Sequence, residues 1–266
     1  MRKPSVKSLL NFVAVIALCG ITALQCLTAY EYVYGYQDSL TAGPLKSENY
    51  FPIESFVMIS QDLWVMSEIC DENDTNCLPY FPPTQQIIGT GSGVIVGERD
   101  GKSLVLTAGH VCSSPTLRLP MTQQHSAQYR MDLTTGYGHE GVATILSIDM
   151  SNDLCLVISD TYLGPPIKVA SQAPGLHETV LNMASPLGLA EPLAVPVFSG
   201  YYIGQVSSLY MFTFPAAPGS SGSPIMNPDH ELISIVSAAA VNFDEYVIGC
   251  KTQALRNFLI SNDALD

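Results

Sequence analysis

The chain is expected to fold as an all-β protein on three observations: many short β-branched and aliphatic runs, turn residues between them, and a single segment with helical spacing. The runs are SFVMIS (55–60), SGVIVG (92–97), SLVLTA (103–108), VATILSI (142–148), LCLVIS (154–159), ETVLNMAS (178–185), SLYMFTF (208–214), ELISIVSA (231–238) and EYVIGC (245–250). Gly, Pro, Asn and Asp separate them. The exception is KTQALRNFLISN (251–262), where Ala254, Leu255, Phe258 and Leu259 fall on one helical face. Many strands at this spacing suit barrels or a sandwich. With 266 residues, 47% of them apolar, the chain can bury a large core as one domain or two fused subdomains.

Residues 1–29 stand apart from that body. Arg2, Lys3 and Lys7 precede an uncharged run from Ser8 to Tyr30, the pattern of an export signal whose basic flank stays in the cytoplasm. Two outcomes are open. The run is long enough to be retained as a membrane anchor, at roughly 20 residues for one span, while LTA at 27–29 offers a small-residue cleavage site. A lipidated form fits less well, because Leu18 and Gln25 precede Cys19 and Cys26. Residues 30–49 read as a tyrosine-rich spacer, and no internal repeat or low-complexity linker follows.

Removing 1–29 takes away three basic and no acidic residues, so the net charge moves from −13 to −16. A body this acidic argues against nucleic acid or anionic lipid as a partner. Contact with a membrane is expected only through the N-terminal segment. The sequence leaves the oligomeric state undetermined.

Five cysteines lie beyond the apolar run: Cys70, Cys77, Cys112, Cys155 and Cys250. In an oxidising compartment Cys70 and Cys77, bracketing DENDTN, read as a bridge across a hairpin tip. The alternative of a metal site lacks a histidine or second cysteine pair at ligand spacing, so no metal is expected. An odd count leaves at least one thiol unpaired within the chain.

The stretch FPAAPGSSGSPIMN (214–227) places Ser221 between Gly219 and Gly222, with Pro224 closing a sharp turn. Such a loop is either a plain hairpin or a mount for a nucleophilic hydroxyl flanked by backbone N–H groups. The second reading needs a histidine and a carboxylate. His125, His139, His177 and His230 sit in polar or turn-rich stretches, whereas His110 ends the apolar run LVLTAG. Asp153 follows a turn-forming Ser-Asn pair and borders LCLVI, where an isolated buried carboxylate would need a partner. Asp149 is the competing candidate.

Together LTAGH, NDLCLV and PGSSGSP, in the order His, Asp, Ser, resemble the catalytic segments of the trypsin-like (chymotrypsin-fold) serine endopeptidases. The resemblance covers roughly residues 50–262, and its chain order differs from that of α/β-hydrolases, where serine comes first. It implies two six-stranded antiparallel β-barrels with a C-terminal helix: barrel one at about 50–162, barrel two at about 163–250, and the helix at about 251–262. It also implies Ser221 as nucleophile, His110 as general base, Asp153 as its orienting carboxylate, and the N–H groups of Gly219 and Ser221 as the oxyanion site. The substrate would be a protein or peptide, and no cofactor enters. A silent relative that binds a peptide or surface partner, or an esterase on the same fold, are the alternatives.

Departures from the family pattern narrow the expectation. Animal digestive members carry Asp before the nucleophile to hold a newly cut I-V-G-G terminus; here Ser220 stands there and no such tetrapeptide is present. Ser223 replaces the second glycine after the nucleophile, a variation associated with bacterial, glutamyl-endopeptidase-like and viral branches. The chain ends shortly after the helix, so no regulatory domain is expected to follow. By resemblance the primary pocket draws on FPAAP (214–218) and VSAAAVNF (236–243), in particular Pro215, Ala216, Ser237, Ala238 and Ala239, and small or apolar side chains are expected to fit it. If His110 and Asp153 touch, Cys112 and Cys155, each two residues beyond them, come close enough to bridge. Cys250 would then be left over.

Overall fold

Alternation of inward apolar and outward polar side chains closes two antiparallel barrels of six strands each. The computed structural model describes residues 51–70, 77–113, 125–240 and 243–265, with backbone only at 64–70, 77–86, 125–128 and 243–244. The N-terminal segment and the spacer to residue 49 therefore lie outside the described residues, and Phe51–Asp266 form one compact unit.

Barrel one consists of β1 (Phe56–Cys70), β2 (Cys77–Arg99), β3 (Lys102–Ala108), β4 (His125–Thr135), β5 (Glu140–Asp149) and β6 (Leu154–Ser159), ordered β1-β2-β3-β6-β5-β4. Barrel two repeats that order with β7 (Thr179–Met183), β8 (Val197–Val206), β9 (Leu209–Thr213), β10 (Pro224–Met226), β11 (Leu232–Ala240) and β12 (Phe243–Cys250). A short helix α1 (Gly109–Cys112) leaves β3, and α2 (Thr252–Ser261) ends the fold.

Three of these strands are absent from the runs read in the sequence, and each has a physical reason. In β4 the inward set is Met131, Leu133 and Thr135, so polar outward residues dilute the apolar signal. Much of β8 faces solvent, with Val197, Tyr201 and Val206 exposed. β10 has only three residues and starts with Pro224, where a strand tolerates proline. The β1–β2 hairpin runs further than SFVMIS suggests, and Pro79, Pro82 and Pro83 within β2 hide that length from the sequence pattern.

The core of barrel one is aliphatic, built on Val94, Ile95, Leu104, Leu106, Leu133, Leu154 and Leu156, all without solvent exposure. It continues through Met226, Leu232 and Ile235 to Leu255 and Leu259 of α2, so the C-terminal helix packs against a core shared with barrel one. Burying such a leucine contributes about 1.5–3 kcal/mol. Arg99 Nη2 donates to Asn262 O at 2.6 Å, and the Ile167 N–H donates to Ile95 O at 2.8 Å, tying the later chain to barrel one. Barrel two instead stacks Tyr202, Tyr210, Phe212 and Phe214 in a chain of tilted and edge-on rings.

Candidate active site

Strand register decides where the first two groups meet. β3 and β6 are antiparallel neighbours, with Ala108 paired to Leu154. His110, two residues past the end of that pair, and Asp153, one residue before it, therefore share one rim of barrel one. His110 Nδ1 lies 3.1 and 3.0 Å from the two oxygens of Asp153, and Oδ1 also accepts the His110 backbone N–H at 2.9 Å. Asp153 takes a left-handed backbone, φ +54°, which aspartate tolerates better than most residues. The competing Asp149 is turned elsewhere: its carboxylate accepts the N–H groups of Ser151 and Asn152 and the Asn152 amide.

Two further ties hold the histidine segment. Cys112 and Cys155 form a disulfide with Cα atoms 6.4 Å apart, and the buried Gln61 amide donates to Val111 O. The hydrogen bond from the imidazole to Asp153 holds the His110 pKa above its ordinary 6.5 against the opposing pull of burial. Cys70 and Cys77 face one another in the β1–β2 register, but their side chains lie outside the described residues. Cys250 is a buried free thiol, pushed up to about 11 by desolvation.

Ser221 comes from barrel two, on the turn between β9 and β10. Gly219 and Gly222 take φ +96° and +82°, and a Cβ on either would run into backbone, the Ser185 carbonyl and the Ser92 carbonyl respectively. Only glycine lets the turn sit this close to its neighbours. The turn closes with Ser220 N–H to Ala217 O at 2.9 Å and Ser223 N–H to Ser220 O at 3.0 Å, while Gly222 N–H reaches Val236 O at 2.7 Å. Below it the buried Asn182 amide donates to the Ser223 hydroxyl at 2.8 Å and to Pro224 O at 2.9 Å. Ser223, the departure from the glycine pattern, is thus packed and paired.

His110 and Ser221 line one cavity of about 480 Å³ with Ala216, Ala217, Pro218, Val236 and the run Ser237–Ala240. Of the residues expected there, Ala216, Ser237, Ala238 and Ala239 are present, whereas Pro215 points to solvent outside the lining. Ala217, Pro218, Val236 and Ala240, from the same two segments FPAAP (214–218) and VSAAAVNF (236–243), complete the wall. The Ser237 hydroxyl is buried with no partner among the described residues. No hydrogen bond joins the Ser221 hydroxyl to another described residue, and none of the described His, Cys, Asp and Glu side chains cluster as a metal site.

The arrangement carries a definite chemical capacity. An imidazole held at Nδ1 by a carboxylate keeps Nε2 free to take a proton, and Ser221 opens onto the same cavity. The walls of the cavity are short, formed largely by alanines.

A family model for the trypsin-like peptidase domain matches residues 91–235, more than half of the chain, and those residues include His110, Asp153 and Ser221. Among solved structures, the serine endoprotease from Yersinia pestis is similar in fold at 17% identity, with a TM-score of 0.55. That match covers 79% of this chain, which spans 62% of the length of that structure's chain. No curated protein matches the chain significantly.

Proposed function

The chain belongs to the trypsin-like peptidase family, and from that premise we propose that it is an exported serine endopeptidase acting through Ser221, His110 and Asp153. The observation that carries the reading is the convergence of an Asp153-held imidazole and Ser221 on one cavity bridging the two barrels. Ser221 Oγ attacks the scissile carbonyl carbon while His110 Nε2 takes its proton. The tetrahedral oxyanion is held by the N–H groups of Gly219 and Ser221, neither of which has an acceptor among the described residues. Collapse breaks the C–N bond, and the imidazolium gives its proton to the leaving amine. An acyl-enzyme results. Water repeats the sequence, giving its proton to His110, and Ser221 leaves with that proton to release the acid.

Asp153 fixes the imidazole tautomer and stabilises the imidazolium without taking the proton itself. The alanine-lined cavity receives a small or apolar side chain on the acyl side of the cut. Export rests on the basic flank and uncharged run of residues 1–30. Among the described residues no helix is long and apolar enough to cross a membrane; the length of the uncharged N-terminal run is what supports anchoring there.

A fluorophosphonate probe tests the chemistry. Labelling of the full chain that disappears in Ser221→Ala is the expected result, and no labelling in either protein would point to a silent peptide-binding domain. Fractionation with N-terminal sequencing tests export: the catalytic unit is expected outside the cytoplasm, starting either at residue 1 or just after residue 29. Full-length soluble chain in the cytoplasm with free thiols would overturn it.

A further inference from the structure

The turn that carries Ser221 is held from its carbonyl side at each peptide. Leu187 N–H donates to Pro218 O at 2.6 Å, and the Ser92 hydroxyl donates to Gly219 O at 2.8 Å. Ser223 N–H donates to Ser220 O at 3.0 Å, and Ser92 N–H donates to Ser221 O at 2.8 Å. In a trans peptide the N–H points opposite to the preceding C=O. Fixing Pro218 O toward Leu187 therefore turns the Gly219 N–H away from Leu187, and fixing Ser220 O does the same for the Ser221 N–H. Glycine makes this turn possible but also leaves it the most freedom to rotate.

Ser92 is the one side chain in that set, and it comes from the opposite barrel. It lies in β2, fully buried between Gly91 and Gly93, and every polar atom it has is engaged. Besides the two bonds above, its hydroxyl accepts the Ser185 N–H at 3.0 Å and its carbonyl accepts the Thr107 hydroxyl at 2.7 Å. Ser185 begins the short 3-10 turn Pro186–Gly188, where Leu187 sits at φ +56° with its side chain exposed. A leucine held in the left-handed region is unfavourable by itself. Here that conformation accompanies the bond from its N–H to Pro218 O.

We propose that Ser92 is a positioning residue: by accepting the Ser185 N–H it holds the Ser185–Leu187 backbone whose Leu187 N–H fixes Pro218 O, and by donating to Gly219 O it fixes the next peptide, so that the Gly219 N–H between them stays aimed at the developing oxyanion. The anion site is then preformed across the barrel interface. It needs no carboxylate at position 220, where Ser220 stands, and no newly cut N-terminus. This inference rests on the proposed peptidase reading, and it assigns to barrel one a part in a site whose donors all belong to barrel two.

The experiment compares the full chain with Ser92→Ala and Ser92→Cys, the thiol filling the same space as a far weaker donor. A chromogenic peptide anilide with alanine at the acyl position gives kcat and KM. A peptide boronate of the same sequence, whose adduct carries the tetrahedral negative charge, and the matching neutral peptide amide give two affinities. Because the donor is displaced rather than deleted, kcat and boronate affinity are expected to fall together by about 10- to 100-fold, with KM and amide affinity within about twofold. The acid limb of the pH profile stays in place, since His110 and Asp153 are untouched. Folded variants that keep the wild-type kcat and boronate affinity overturn the inference, as does loss of the fold in both variants, which would make Ser92 a general stability residue. Wild-type chain that fluorophosphonate does not label is a failure of the peptidase reading instead.

Discussion

The two barrels share one strand order and divide the work unequally. Barrel one has an aliphatic core and a covalent tie, Cys112 to Cys155, beside the rim where His110 meets Asp153. Barrel two has an aromatic core, a lone buried thiol and a glycine-rich turn that carries Ser221. The proposed base is placed by register within a single barrel; the proposed nucleophile is placed by hydrogen bonds that cross between barrels. One topology thus serves as a rigid rim in the first copy and as a held loop and pocket wall in the second.

The comparison predicts that neither barrel is active alone. Ser221→Ala in barrel two and His110→Ala in barrel one should each lower kcat by about a millionfold, and the double variant should be no worse than either, as found for groups that act as a unit. Single-turnover kinetics on a peptide ester would read this. Additive losses would mean that the two side chains work separately and would break the pairing of the barrels.

Within barrel one the next largest effect belongs to the carboxylate. Asp153→Asn should reduce turnover by about ten-thousand-fold through the wrong imidazole tautomer, while Asp149→Asn, whose carboxylate serves its own turn, should leave turnover nearly unchanged. The pH profile sharpens the point. Asp153 raises the His110 pKa above 6.5, and the reaction needs the neutral imidazole, so activity should rise with pH through an inflection above 6.5. In Asp153→Asn that inflection should move down. The stability contribution of the pair has the opposite sense: a raised histidine pKa favours the folded state below the unfolded value, and the gain is lost as pH rises through the folded one. An acid limb that ignores Asp153→Asn would transfer the role to another group.

Barrel one was also the more legible half in the sequence, for physical reasons. LVLTAGH and NDLCLV are buried strands whose ends carry chemistry, so apolar density and the polar residue at its edge mark both at once. In barrel two, β8 is largely solvated and β10 is only three residues long, directly after the turn, so neither has an apolar run to read. The sharp Gly-Ser-Ser-Gly turn showed where Ser221 stands. What holds that turn was hidden, because Ser92 reads as one more strand residue and Leu187 as one more loop leucine. The nearest signal was Gly91 and Gly93 flanking Ser92, since glycines inside a strand often mark a close backbone approach. Pro215, expected by resemblance in the pocket, is exposed and lies outside the cavity lining.

The disulfide tests how much of barrel one's rim depends on a covalent tie. The Cys112→Ala and Cys155→Ala double variant opens a loop with a sequence separation of 43, and its unfolding free energy should fall by about 2–4 kcal/mol. Denaturant titration reads that number, and a parallel fall in kcat would show that the bridge also holds His110 against Asp153. Barrel two offers the contrast. Cys250, fully buried with its pKa pushed up to about 11, should resist alkylation in the native protein and react only on unfolding. Rapid native labelling of Cys250 would mean that barrel two opens where barrel one does not.

The smallest expected effect concerns the cavity, to which barrel one contributes only His110 among the described residues. Its walls are short because Ala216, Ala217, Ala238, Ala239 and Ala240 carry one methyl each, and Ala239 pairs in register with the buried Val247 of β12. On the proposed reading, space rather than charge is the sorting principle. Apart from His110, no ionisable side chain lines the cavity among the described residues, which leaves a cationic acyl residue without a carboxylate to pair with. Ala239→Val should narrow the space by two methyl groups at a half-buried position, so the fold should be little affected. Discrimination in a hydrophobic pocket runs at about 10- to 200-fold per methylene, and kcat/KM for leucine or phenylalanine on the acyl side should fall by about tenfold or more while alanine substrates are spared. A panel of anilides differing only in that residue measures it. Equal losses for alanine and phenylalanine would place the side chain elsewhere, and the assignment of the pocket to barrel two would go with it.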